Sequence, residues 1–190
     1  MKIKEIFGNL PQLETERLIL RKMTLGNASF LFEYASDPEV SRHTLWESHK
    51  SIEDSINFLK SMIQKYKNGE VSVWGLVYKE NNKFIGTCGY GWWDTVHCRA
   101  EIGYALSRKY WNKGLMTEAV REVIKFGFEK MKLNRIEARC VVENIASQKV
   151  LEKAGMTYEG TLREQLFAKG SYRDLKIFSI LRKEYYRRKR

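Results

Sequence analysis

Residues 110–119 read Y-W-N-K-G-L-M-T-E-A. They follow a short apolar strand, E-I-G-Y-A-L at 101–106, and open a long amphipathic helix. A Gly-bearing turn that becomes a helix presents several unpaired backbone N–H groups to whatever lies in front of it. The helix dipole adds partial positive charge at the same spot. Together they make an anion site, most naturally for phosphate. Thr117 can cap the turn or meet a phosphate oxygen, and Lys109 and Lys113 add charge in front. The pattern also fits an ordinary strand-to-helix turn that needs one Gly for a tight bend. The rest of the chain decides between the two.

Downstream, Met116, Ala119, Val120, Val123, Ile124, Gly127 and Met131 recur at spacings of three and four, the buried face of the helix. A strand over 135–142 follows, with Ile136, Ala138, Cys140 and Val142 on one face. A short helix over 145–154 ends at Gly155, and 156–165 and 171–181 read as a hairpin around Ala168-Lys169-Gly170. Upstream, 13–23 reads as a first strand and 24–35 as a helix with Asn27 as N-cap, stopped at Asp37-Pro38. Residues 41–50 have no period and form a loop with His43, Trp46 and His49. Ser51 then caps a helix that ends at Asn68-Gly69. Strands over 71–78 and 83–93 join through a polar turn at 79–82. The second holds Gly86, Gly89 and Gly91, the mark of a bulge or a close backbone approach.

At 190 residues the chain suits one domain, with a core over 13–181 and a basic tail over 182–190. No apolar run approaches the roughly 20 residues of a membrane span. The N-terminus carries charge within its apolar part, unlike a signal peptide. Cys88, Cys98 and Cys140 lack metal or disulfide spacing, so no metal is expected and a cytoplasmic setting fits. The tail holds six basic residues against Glu184 alone, +5 of the net +11. A frayed, solubilising tail explains this, and attraction to a polyanion is the alternative. No aromatic RNA-binding motif or helix-turn-helix pattern accompanies the charge, so direct nucleic-acid binding is not expected. Strands mixed with helices predict one α/β domain whose sheet is partly antiparallel.

Three stretches now stand in one order. A-E-I-G-Y-A-L (100–106) leads into the 110–119 turn, and E-N-I-A-S-Q-K-V-L-E-K-A-G-M-T-Y-E-G (143–160) follows one strand later. With the opening T-E-R-L-I-L-R (15–21), they resemble the GNAT superfamily of acetyl-CoA-dependent N-acetyltransferases. The chain is similar in particular to its RimJ/RimL-like branch, named for ribosomal-protein N-terminal alanine acetyltransferases. The resemblance implies a mixed, mostly antiparallel sheet of six or seven strands, flanked by helices and splayed at the cofactor strand. It implies acetyl transfer from acetyl-CoA to a primary amine, either a protein N-terminus such as that of a ribosomal protein or a small-molecule amine. A protein that binds acetyl-CoA without catalysis, or one that meets polyanions through its tail, is the alternative. The state is a monomer or a homodimer, with no membrane partner.

The family's pyrophosphate loop, Gln/Arg-x-x-Gly-x-Gly/Ala, falls on residues 109–114, with Lys109 for Gln/Arg and Asn112 for the first Gly. Asn tolerates positive φ better than other non-Gly residues, so the turn still forms. The resemblance assigns Lys109, Asn112, Lys113, Gly114, Leu115, Met116 and Thr117 to the pyrophosphate. It assigns Ala105, Leu106 and Asn144 to the pantetheine arm. Ser147 would return a proton to the CoA thiolate, the alternative being a helix first-turn cap. Acetyl transfer needs the amine proton removed. Glu101 is the first candidate base, and the alternative is an ion pair with Arg99 or Arg139. Glu164 is the second. The family position beside it falls on Leu166, a departure from the pattern. Trp46, Trp92 and Trp93 are expected on the acceptor wall, or as plain packing.

Overall fold

The computed structural model describes residues 2–188, and its sheet departs from antiparallel pairing at one junction only. The strands are β1 (Leu13–Glu14), β2 (Leu18–Arg21), β3 (Val73–Tyr78), β4 (Lys83–Asp94), β5 (Arg99–Leu106), β6 (Arg135–Val141), β7 (Thr157–Ala168) and β8 (Ser171–Leu181). Their spatial order is β1-β2-β3-β4-β5-β6-β8-β7. The helices are α1 (Ile3–Phe7), α2 (Ala28–Ala35), α3 (Pro38–Ser41), α4 (Ile52–Asn68), α5 (Leu115–Glu129), α6 (Ile145–Ala154) and α7 (Arg182–Arg187). The sheet is the expected mixed, mostly antiparallel one, but it has eight strands, not six or seven. The single strand expected over 13–23 breaks at Thr15, whose Oγ1 accepts the Leu18 N–H at 3.0 Å and folds β1 back on β2.

The parallel junction is β5 with β6. Parallel neighbours need a crossover, and α5 supplies it. The two strands pair over only three positions, Arg99 with Arg135, Ala100 with Ile136 and Glu101 with Glu137. Beyond them β5 continues to Leu106 and β6 to Val141 without pairing to each other, so the sheet forks.

α5 packs one face of the sheet through Leu115, Ala119, Val120, Val123, Ile124 and Phe128, all nearly or wholly buried. Its spacing of three and four residues gives one continuous apolar stripe. Gly127 sits where a side chain would collide with the Tyr90 hydroxyl, which donates to the Val123 carbonyl at 2.8 Å. The missing Cβ thus lets strand β4 hydrogen-bond the helix backbone directly. α2 and α4 pack nearby through Leu31, Tyr34, Leu59, Met62 and Tyr66. The Tyr66 hydroxyl donates to the Val73 carbonyl at 2.7 Å and ties α4 to the start of β3. Gly69 closes α4 with φ +67°, a left-handed cap that a Cβ disfavours. Gly86 and Gly89 are positions of close backbone approach, facing Ala105 and Val73.

Three local readings differ. Asn27 stands at the N-cap position of α2, but its side chain makes no cap hydrogen bond there. It closes a short 3₁₀ turn whose first residue is capped by Thr24, and the Asn27 Oδ1 accepts the Thr24 N–H at 3.0 Å. Asp37-Pro38 stops α2 and at once starts α3, because Asp37 accepts the Glu39 N–H and Pro favours the first helical turn. The basic tail is not frayed over its described part. Residues Arg182–Arg187 form α7, where the Leu181 N–H donates to Glu184 at 3.0 Å and Tyr185 packs on Phe128 at 5.0 Å between ring centroids. Lys189 and Arg190 lie outside the described residues. No helix among the described residues is long and apolar enough to cross a membrane.

Candidate active site

The fork between β5 and β6 is filled from one end by the start of α5 and from the side by α6. A single 3₁₀ turn (Arg108–Tyr110) leads from β5 toward the helix. Asn112 takes φ +60° and Gly114 φ +74°. Two left-handed residues, with Lys113 between them, bend the chain so that α5 begins directly behind the turn. The first helical bond runs from the Glu118 N–H to the Gly114 carbonyl at 3.1 Å. The N–H groups at the helix start have no intrahelical acceptor and point with the positive end of the dipole.

A cavity of about 290 Å³ occupies the fork. Ala105 and Leu106 form one side of it, Asn112, Gly114, Leu115, Met116 and Thr117 its end, and Asn144 and Ser147 the opposite wall. Lys109 and Lys113 do not line it. Lys109 is ion-paired with Glu33, and the Lys113 ammonium lies over the Tyr110 ring at 5.3 Å. Both were read from sequence as charge in front of the loop. Their long stems carry the ammonium groups elsewhere, because Glu33 and Tyr110 offer nearer partners.

α6 is pinned at the rim of this cavity. Asn144 is its N-cap and accepts the Ser147 N–H at 3.0 Å. Gln148 donates to the Val142 carbonyl at 2.6 Å and accepts from Lys176 at 2.8 Å, which fixes the helix to β6 and β8. Ser147 Oγ lies 2.8 Å from the Tyr104 hydroxyl. Tyr104 belongs to β5 and is not legible as a site residue in the sequence, since it sits in an apolar strand run. Its burial pushes the phenol up, so it stays protonated and can donate. The pair therefore links β5 to α6, one hydroxyl from each.

The first candidate base is placed differently. Glu101 stands at the last paired position of the fork, outside the cavity lining. Its Oε2 accepts from Trp92 Nε1 at 2.7 Å and from Arg139 Nε at 3.0 Å, and it also pairs with Arg139 Nη2. Arg139 lies on β6 two residues past the pairing, so this contact crosses the point where the strands part. Of the three tryptophans, Trp92 serves this cluster, with Arg99 over its ring at 5.5 Å. Trp93 is buried in the core against Phe7, and Trp46 packs near His49. None of the three lines the cavity. Glu164 is exposed on β7 at an irregularity in its pairing, with φ +49°, and its N–H donates to Asp174 at 2.8 Å. It too is absent from the cavity lining.

Glu39, Val40, His43 and Thr44, from α3 and the turn after it, also line the cavity. The imidazole of His43 is held below its ordinary value, first by burial and then by Arg42, against a smaller opposing pull from Glu143. It is neutral at pH 7 and can accept a proton. Glu39 pairs loosely with Arg42 at 3.5 Å. The sequence signal for these residues was faint: one of two histidines in an aperiodic loop.

The chain and its fold are similar to those of known proteins. The acetyltransferase (GNAT) domain family matches residues 17–157. The uncharacterized N-acetyltransferase p20 of Bacillus licheniformis is 39% identical over 173 residues, which are 91% of this chain and 97% of that protein. A GNAT-family acetyltransferase structure from Bacillus anthracis superposes with a TM-score of 0.82 at 29% identity, covering 91% of this chain and 99% of that one. The ribosomal-protein-S5-alanine acetyltransferase of Vibrio fischeri superposes with a TM-score of 0.73 at 26% identity, covering 90% and 97%.

Proposed function

Because the chain belongs to the GNAT family and is an acetyl-CoA-dependent N-acetyltransferase, we propose that it acetylates a primary amine entering beside α3. We propose as acceptor the α-amine of a protein N-terminus, with ribosomal proteins the first class to examine. The likeness to the S5-alanine acetyltransferase supports that class.

One observation carries the reading. The start of α5, an unpaired strand edge and a hydroxyl pair meet in one cavity. The pyrophosphate fits the N–H groups of Gly114, Leu115 and Met116, where the dipole favours negative charge. The pantetheine arm fits along β5 beyond Glu101, where a strand edge faces the fork without a partner strand. Bound acetyl-CoA supplies the activated acyl carbon. His43 takes the proton of the attacking amine, and Glu39 draws a cationic amine toward it. As the new C–N bond forms and the C–S bond breaks, Ser147 gives a proton to the departing thiolate. The Tyr104 hydroxyl stays protonated and donates a hydrogen bond to Ser147 Oγ; Ser147 regains its proton from water, to which His43 releases the one it took. Thiols have ordinary pKa values near 8.5, so the departing group needs only modest help.

The test is acetylation of a peptide panel with free N-termini, alongside N-terminally blocked peptides, lysine side chains and small polyamines, read by mass spectrometry. Acetylated free N-termini are expected. Turnover confined to polyamines would overturn the acceptor class, and no CoA release with any amine would overturn catalysis.

A further inference from the structure

The opening motif T-E-R-L-I-L-R has no place in the chemistry above, yet its third residue touches the phosphate loop. The turn 15–17 is built around one carboxylate of α5. Glu118 Oε1 accepts from Thr15 Oγ1 at 2.5 Å and from the Arg17 N–H at 2.9 Å. Glu118 Oε2 meets Arg17 Nε and Nη2, each at 2.7 Å. The remaining guanidinium nitrogen, Nη1, donates to the carbonyl of Lys113 at 2.9 Å. All three nitrogens of a planar fork are thus used, two on the helix and one on the loop.

The carbonyl bond has a directional consequence. In a planar trans peptide the C=O and the following N–H point in opposite directions. Holding the Lys113 carbonyl toward Arg17 therefore aims the Gly114 N–H away from Arg17, toward the cavity side. Gly114 has φ +74° and Arg17 Nη2 lies 3.6 Å from where its Cβ would be, so the guanidinium backs the turn closely. There is a charge consequence too. Glu118 stands in the first turn of α5, near the N–H groups that must attract phosphate. Burial pushes this carboxyl up, but the hydrogen bonds from Thr15 and Arg17 together outweigh it and hold the group below its ordinary value, so it is ionised at neutral pH. Unpaired, it would repel the ligand.

We propose that Arg17 is a positioning residue of the cofactor loop: it turns the Gly114 N–H toward the pyrophosphate and cancels the charge of Glu118 beside it. This rests on the cofactor placement proposed above.

The experiment compares acetyl-CoA with acetyl-pantetheine, a truncated thioester that lacks the pyrophosphate, in the wild type, Arg17→Ala, Arg17→Lys and Arg17→Ala/Glu118→Gln. Losing a charge-assisted hydrogen bond, at about 1.5–3 kcal/mol, corresponds to a roughly ten- to hundredfold rise in the KM for acetyl-CoA and in the Kd for CoA. For Arg17→Ala, kcat at saturation and the KM for acetyl-pantetheine stay near wild type. The double variant recovers part of the loss, since the charge is relieved but the carbonyl stays free. Arg17→Lys falls between, because an ammonium cannot serve both partners in the same fork. An equal loss for both thioesters would make Arg17 a plain structural residue and overturn the proposal, as would no loss for either. Should Arg17→Ala not fold, the Lys variant carries the same comparison. A wild type that binds neither CoA nor acetyl-CoA would sink the cofactor placement itself, a result seen before any variant is made.

Discussion

Two Glu–Arg pairs flank the fork and do different things. Glu101 and Arg139 join β5 to β6 at its closed end, where the strands part. Glu118 and Arg17 join α5 to the β1–β2 turn at its open end, beside the phosphate loop. Both use a guanidinium on a carboxylate, and both carboxylates are mostly shielded, 19% and 18% exposed. What separates them is the third contact. Arg17 spends its remaining nitrogen on a loop carbonyl, while Glu101 also holds a tryptophan N–H. An ion pair by itself therefore says little about function. What else the same two side chains touch decides whether the pair serves the sheet or the ligand.

Substitutions can break this contrast in order of size. Gly114→Trp is expected to abolish CoA binding. A non-Gly residue at φ +74° is strained, and an indole would fill the loop in front of α5. Retained affinity, measured by calorimetry, would remove the anion site from the open end. His43→Gln should lower turnover about a hundredfold, the usual scale for a general base, with CoA affinity intact. The pH profile gives the sign. A His whose value is lowered keeps its neutral, proton-accepting form to lower pH. Wild-type kcat/KM should then fall only as pH drops below about 6.5, the unperturbed value, and that limb should vanish in the variant. Glu101→Gln tests the closed end. It removes the charge from the Arg139 contact and should cost about 1–2 kcal/mol, lowering Tm by roughly 2–8 °C. Turnover and its pH profile should stay within about twofold, far less than a base would cost. A collapse of turnover with stability unchanged would make Glu101 the base after all. Lys109→Ala sits at the small end. Its ammonium is turned to Glu33, so CoA affinity should not change, and a clear loss would return it to the phosphate site.

Much of this fold was legible because it is written at short range. The stripe from Leu115 to Phe128, the capping of α4 by Ser51 and its end at Gly69, and the strand–turn–helix at 99–129 all follow from periods of two or 3.6 and from residues that favour particular φ values. The hairpin of β7 and β8 was legible for the same reason. So was the turn carrying Asn112 and Gly114, since few residues other than Asn and Gly accept φ near +60°. The family resemblance rested on those same local stretches.

The rest needed the sheet. Tyr104 and Ser147 are 43 positions apart, Glu101 and Arg139 38, Arg17 and Lys113 96. No period links them. They meet because β5 and β6 are parallel neighbours for three residues and then diverge, and because β2 returns beside the start of α5. The sequence by itself determined that a helix would begin behind a Gly-bearing turn and present bare N–H groups, since backbone geometry is set by nearby residues. Only the tertiary structure decided which side chains face that turn. It put Trp93 in the core, gave Glu101 to Arg139 and brought His43 to the cavity, because burial and charge are settled by the elements that pack around a residue and not by its neighbours in the chain.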